Sequence, residues 1–287
     1  MAAEALKISG LCKNFDDFCL KDIELVVPEG AVVGLIGENG AGKTTTIKAA
    51  VDLLHRDKGE VEFFGKRMEE DPSGIRKEVG VVFDSLHFSQ GLDADKIEKI
   101  CEAIYENWDK KTFEECMEKF SLPHKKAIKD FSTGMKMKLN LAIGLSHNAR
   151  LLIMDEPTSG LDPVVRDDIL DIFMDFMQEE NHAILLSSHI TSDLEKIADY
   201  IAFIHKGRLI FCMPKDTLLY QYGVIKCSKR DFENIRAEDK LAWRIEDYQC
   251  SVLTGDRRRA AARYPEMIID TPTIDEIMLL YVKGERE

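Results

Sequence analysis

The chain has 287 residues, 45% of them hydrophobic and 32% charged, with a formal net charge of −13. That balance excludes a disordered chain, and the acidic surplus speaks against nucleic-acid binding, which draws on a basic face to displace counterions from phosphates. No uncharged apolar run approaches the ~20 residues of a membrane-spanning helix, and Met1–Lys7 lacks the basic-then-apolar pattern of a secretory leader, so the reading is cytoplasmic, with any membrane role reached through a partner.

In chain order, Leu6–Pro28 alternates apolar and polar residues (Leu6, Ile8, then Ile23, Leu25, Val27), which predicts half-exposed antiparallel strands. Ala31–Ile36 is almost wholly apolar, as is a strand buried on both faces of a parallel sheet. Similar runs follow at Val79–Phe83, Leu151–Met154, Ala183–Ser187 and Ile201–Ile204, separated by helical segments. The fold class is therefore α/β with a mostly parallel core sheet and an N-terminal antiparallel β subdomain. The charged stretch Ser85–Lys129 has apolar residues at helical spacing (Ile97, Ile100, Cys101, Ile104) and reads as a helical insertion. After Pro214 come short strand candidates at Val224–Cys227 and Cys250–Leu253, then a helix that Thr273 and Glu276 open as a capping box and Gly284 closes. The expected organisation is a nucleotide-binding domain over 1–214, with its helical part at about 85–148, and a small α+β appendage over 215–287.

Three segments carry chemistry. Gly37-Glu38-Asn39-Gly40-Ala41-Gly42-Lys43-Thr44, followed by Thr45, fits G-x-x-x-x-G-K-[ST] between a buried strand and a helix. Its glycines let backbone N–H groups turn inward around a triphosphate, the helix aims its positive end at the same anion, Lys43 adds a cation, and the Thr44 hydroxyl can ligate Mg²⁺. This makes the core a P-loop NTPase. Leu151–Met154 then ends in Asp155 and Glu156, a costly pair at a buried strand tip unless a cation sits there; alone the pair could also be a helix cap. Beside the P-loop, Asp155 is the candidate Mg²⁺ ligand and Glu156 the candidate base for an attacking water. Phe131-Ser132-Thr133-Gly134-Met135 opens a helix with Met135, Leu139, Ala142 and Ile143 on one face; Ser132 is either a plain N-cap or a second anion contact.

Elsewhere the residues read as structural. The basic cluster Arg257, Arg258, Arg259 and Arg263 reads as a solvated helix face. Seven scattered cysteines, none in a Cys-x-x-Cys pair, read as buried, reduced thiols, and seven histidines show no metal-ligand spacing.

Taken in order over Leu6–Pro214, these motifs resemble the nucleotide-binding subunit of ATP-binding-cassette (ABC) transporters. The resemblance extends to Ser159-Gly160-Leu161-Asp162, similar to the family's D-loop, to His189 after Leu185-Leu186-Ser187-Ser188, similar to its switch histidine, and to Phe15 as the ring stacked on adenine. It implies a head-to-tail dimer, of identical subunits or with a paralogue, enclosing two ATP with Mg²⁺. Ser132 and Gly134 would face the partner's Gly37–Thr44 loop, and His189 the γ-phosphate, although outside this setting a buried core histidine would be the plainer reading. A separately encoded transmembrane permease would dock in the groove beside Leu86, Phe88 and Leu92, placing the chain on the cytoplasmic face of the membrane.

Two features depart from the family pattern. Phe131, Thr133 and Met135 replace three of the five residues of Leu-Ser-Gly-Gly-Gln, and Asp84 stands where the family has an Mg²⁺-touching glutamine; Gln90 lies too late to replace it. A carboxylate still ligates Mg²⁺, so Asp84 is taken as a third metal ligand, with reduced hydrolysis as the competing expectation. The variant signature, Asp84 and the C-terminal appendage resemble bacterial ABC-2 type exporter ATPases, including those similar to peptide exporters. Lys215–Glu287 carries no catalytic motif and is expected to act as a dimer contact or regulatory lid. A nucleotide-binding scaffold with weak turnover and a soluble ABC ATPase outside transport are the alternatives.

Overall fold

A computed structural model describes residues 3–83, 85–246 and 249–285. The apolar runs set its centre. Val32–Ile36, Leu151–Asp155 and Ala183–Ser188 are buried at every position, as expected of strands covered on both sheet faces. They lie in a six-stranded sheet whose spatial order is Val79–Val82, Leu151–Asp155, Ala183–Ser188, Val32–Ile36, Tyr200–His205 and Arg208–Pro214. The first five are parallel; the last returns antiparallel along the edge through a tight turn. Lys206 (φ 47°) and Gly207 (φ 73°) supply the left-handed pair that such a two-residue hairpin requires.

The pleat divides each run between two cores. Val33, Leu35, Ile153 and Leu185 face one side; Val32, Ile36, Met154 and Leu186 face the other. Each such side chain is worth about 2 kcal/mol on burial, so these strands cannot be moved to the surface. The first side is closed by an antiparallel sheet of Cys19–Pro28, Glu4–Asn14, Lys58–Phe63 and Lys66–Arg67. There the expected alternation holds: Leu20, Ile23, Leu25 and Val27 are inside and Lys21, Glu24 and Val26 outside.

The second side is closed by helices. Ala94–Ile104, Lys110–Lys119 and Thr133–Leu145 form the insertion between Val79–Val82 and Leu151–Asp155. Asp93 and Asp109 cap the first two by accepting backbone N–H bonds. The apolar spacing in the first helix is only partly used. Ile97 and Cys101 are buried, but Ile104, the helix's last residue, is 67% exposed. Glu98 is buried in its stead, 3.0 Å from Lys110 Nζ. Leu86, Phe88 and Leu92 are half-buried against this core.

A third sheet follows Pro214, ordered Ala242–Ile245, Cys250–Thr254, Gly223–Cys227 and Ile268–Asp270. The last helix, Ile274–Lys283, has the Thr273/Glu276 capping box. Gly284 ends it for a different reason from the one its sequence suggests: its φ is −84°, not left-handed. A Cβ there would lie 2.3 Å from the Leu280 carbonyl oxygen, so contact rather than backbone conformation demands glycine. Ile274, Ile277 and Leu280 join the same apolar core as the central sheet.

The basic cluster is not a simple solvated face. Asp239, 1% exposed, accepts from Arg259 Nη2 at 2.9 Å, Arg263 Nη1 at 2.7 Å and Tyr264 Oη at 2.8 Å, while Arg257 bonds Thr271. Burial pushes the Asp239 carboxyl up, but the Tyr264 hydroxyl and the Arg263 and Arg259 guanidiniums together hold it below the usual carboxylate range. Removing the acceptor leaves the buried Tyr264 hydroxyl without its partner, while Arg263 keeps Glu238 and Arg259 keeps solvent, so Asp239→Ala should cost about 2 kcal/mol in urea unfolding at neutral pH. A depressed folded pKa contributes stability above the unfolded value that is lost as pH falls through the folded one. The gap between variant and wild type should therefore narrow in acid; a constant gap would contradict the assignment.

All seven cysteines are free, and Cys101, Cys227 and Cys250 are buried as expected, whereas Cys212 is exposed. Among the described residues no helix is long and apolar enough to cross a membrane, and no three His, Cys, Asp or Glu side chains converge as a metal cage.

Candidate functional site

Parallel strands end at a common edge, where open α/β sheets bind ligands. Ile36 pairs with Ser188 and Asp155 with Ser187, so the segments after these strands meet. Gly37 turns the chain where a Cβ would lie 2.4 Å from the Ile204 carbonyl oxygen. Gly42 precedes the helix Lys43–Ala50 at φ 117°, a conformation closed to other residues. Glu38, Asn39, Gly40 and Gly42 through Thr45 line a cavity of about 740 Å³. Ala41 is buried behind it, its N–H donating to the Glu38 carbonyl at 3.0 Å. Glu38 Oε1 lies 3.1 Å from His205 Nδ1 on the neighbouring strand.

Lys43 is 5% exposed. Its ammonium donates to the Gly37 carbonyl at 2.7 Å and stands 3.2 Å from Glu156 Oε1. The other Glu156 oxygen is 2.6 Å from His189 Nδ1 and 3.3 Å from the His189 N–H. Glu156 adopts φ 52°, a strained conformation for a non-glycine residue that persists only when its surroundings hold it. Ser187 is what holds it. Its carbonyl and Oγ each accept the Glu156 N–H at 3.1 Å, and its Oγ–H donates to Asp155 Oδ1 at 2.6 Å. One buried hydroxyl thus orients both carboxylate residues.

Asp155 is buried, and among the described residues no cationic side chain pairs with it. A desolvated carboxylate with only a serine donor fits Mg²⁺, which takes one or two protein oxygens and fills its shell with phosphate and water. Asp84, the other expected ligand, lies outside the described residues.

The remaining expected residues serve as caps and packing positions in their own chain. Ser132 Oγ accepts the Met135 N–H at 3.2 Å as an N-cap, and a Cβ on Gly134 would be 3.2 Å from Val165 Cγ1. Asp162 caps the helix Pro163–Phe176, accepting from Val164 and Val165 N–H at 3.1 Å. None of the three lines the cavity, although Thr133, Met137, Ser159 and Leu161 do. Phe15 is 46% exposed and lies outside the lining; Phe18, 6.3 Å from it between ring centres, is the aromatic residue that faces the loop. Phe18 and Ser187 join the site without a sequence motif that marks them. The first was signalled only by its nearness to Phe15, the second by a hydroxyl at the polar end of an otherwise apolar strand.

Comparison with known proteins identifies the family. The description of the ABC transporter family matches residues 20–159. The bacitracin transport ATP-binding protein of Bacillus licheniformis is 35% identical over 68% of this chain, which spans 65% of that relative's length. The lantibiotic transport ATP-binding protein of Streptococcus pyogenes is 35% identical over 71% of this chain and 89% of its own. The solved structure of an ATP-binding subunit of an ABC transporter superposes with a TM-score of 0.68 at 26% identity, covering 80% of this chain and 93% of that one.

Proposed function

The chain belongs to the ATP-binding subunits of the ABC transporter family, and on that premise we propose that it binds ATP with Mg²⁺, hydrolyses it, and drives export through a separately encoded membrane protein. The observation that carries this reading is the meeting of Lys43 and His189 on Glu156 at one sheet edge, the first at 3.2 Å and the second at 2.6 Å. The loop Gly37–Thr45 and the helix behind it hold the triphosphate through backbone N–H groups and the helix dipole. Lys43 exchanges its contact with Glu156 for phosphate oxygens. Glu156 then takes a proton from the attacking water, with His189 fixing the carboxylate and contacting the γ-phosphate. Thr44 and Asp155 would hold Mg²⁺, with Asp84 proposed as a third ligand, and the ion would neutralise charge on the phosphates.

Ser132 and Asp162 are exposed and so open to a second copy; with Gly134 they are proposed to act across a head-to-tail pair. The half-buried Leu86, Phe88 and Leu92 are proposed as the contact for the membrane subunit, which would hold the chain at the cytoplasmic face. Residues 1–214 form the nucleotide-binding unit and 215–287 the appendage. Relatives named for bacitracin and lantibiotic transport favour an antimicrobial or similar peptide as cargo. Purified protein should release phosphate from ATP in the presence of Mg²⁺ and stop on addition of EDTA. Turnover no faster than that of the buffer alone would overturn the reading.

A further inference from the structure

We propose that the C-terminal helix belongs to the hydrolytic machinery, with Glu195 as the positioning residue through which it fixes the segment presenting His189. The inference rests on the role given to His189 above.

His189 is followed by Ile190 and then by a helix of only seven residues, Thr191–Ile197, which has no side-chain N-cap bond. So short a helix is not stable by itself; its contacts decide where it sits, and hence where His189 points. Two come from the helix that Asp162 caps: Arg166 Nη1 lies 3.6 Å from the buried Asp193, and Asp167 Oδ1 lies 2.8 Å from Lys196 Nζ. The others come from beyond the central sheet. Glu195 Oε1 accepts the N–H of Ile274, the first residue of the helix Ile274–Lys283, at 3.2 Å. The Glu195 carbonyl accepts Lys215 Nζ at 2.7 Å. Thr273 and Glu276 occupy each other's backbone donors, so the Ile274 N–H is one of the orphan donors a helix start leaves over, and a carboxylate there is also favoured by the helix dipole.

This contact has a rigid backing. Leu194 and Ile197 share a core with Ile274 and Ile277, and Tyr281 lies 5.9 Å from Phe203 and 5.7 Å from Phe211 between ring centres. The helix is thereby braced on the strand beside the P-loop strand. A displacement of about 1 Å at a reacting group can cost as much as ~10²-fold in rate, so the 2.6 Å contact of His189 with Glu156 is sensitive to where this helix is held. The appendage thus acts as a brace on the switch segment.

The test uses the full chain and compares Glu195→Ala, Glu195→Met and Glu195→Gln with wild type and His189→Ala, measuring kcat, KM for ATP and melting temperature. Glu195 is partly exposed, and alanine favours helix, so the alanine variant should fold. The methionine variant keeps the stem and loses only the acceptor. Both should lower kcat about tenfold with KM within twofold of wild type, while glutamine, whose amide oxygen still accepts, stays within twofold in both constants. Wild-type kcat in the methionine variant, or loss of kcat in the glutamine variant, would overturn the brace while leaving the site intact if His189→Ala is inactive. Wild-type turnover in His189→Ala would overturn the role of His189 and the inference with it.

Discussion

Replacing Glu156 by glutamine is expected to lower ATP turnover by a factor of about 10² or more while leaving ATP binding in place. A positioned general base contributes roughly 10²–10⁴-fold, and no other carboxylate among the described residues reaches both Lys43 and His189. Glutamine has the same shape, and the backbone at this position is held by Ser187 rather than by the side chain, so the strained turn should survive. What is lost is the ability to accept the water's proton. Phosphate release and equilibrium binding of a fluorescent ATP analogue, measured on the same preparation, separate the two effects. Equal turnover in both proteins would remove Glu156 from the chemistry.

Lys43→Ala should have the opposite signature, with binding itself failing. The Lys43 ammonium is buried at the head of the cavity, anchored on the Gly37 carbonyl, where a phosphate would meet it largely stripped of water. Charge-assisted bonds of this kind are about twice as strong as neutral ones. Losing about 3 kcal/mol corresponds to roughly a hundredfold weaker Kd. Alanine is favourable in the first turn of the helix, so the fold should be little disturbed by backbone effects. The expected result in a binding titration is loss of tight ATP binding with near-native circular dichroism; wild-type affinity would contradict it.

Much of this architecture was legible in the sequence because burial on both faces leaves no polar positions. Val32–Ile36, Leu151–Asp155 and Ala183–Ser188 announce themselves as apolar runs, and the loops after them carry the glycines and carboxylates that only a strand edge can use. Where a residue's role depends on what faces it across the fold, spacing alone was insufficient. Arg259 and Arg263 look like surface charge in sequence, and it is the distant Asp239 that makes them part of a buried network. Ile104 fits the helical period, yet the period says nothing about where the neighbouring core ends. Ser187 binds Asp155 and Glu156 through a parallel strand pairing some thirty residues away in the chain, and no local pattern encodes that. Phe15 and Phe18 are alike in sequence terms; the approach of Phe18 Cζ to within 3.0 Å of a Cβ built on Gly42 is what places the second ring against the loop. At Ser132 and Asp162 a helix cap and a partner-facing anion contact call for the same atoms, so one sequence pattern serves both roles.

The claim that two copies of this chain share each ATP is tested most directly by the molar mass of the Glu156→Gln variant in solution, measured by light scattering with and without MgATP. The expected result is a single-chain mass without nucleotide and a doubled mass with two bound ATP per pair once Mg²⁺ and ATP are present. A single-chain mass at saturating MgATP, with one nucleotide bound, would contradict it.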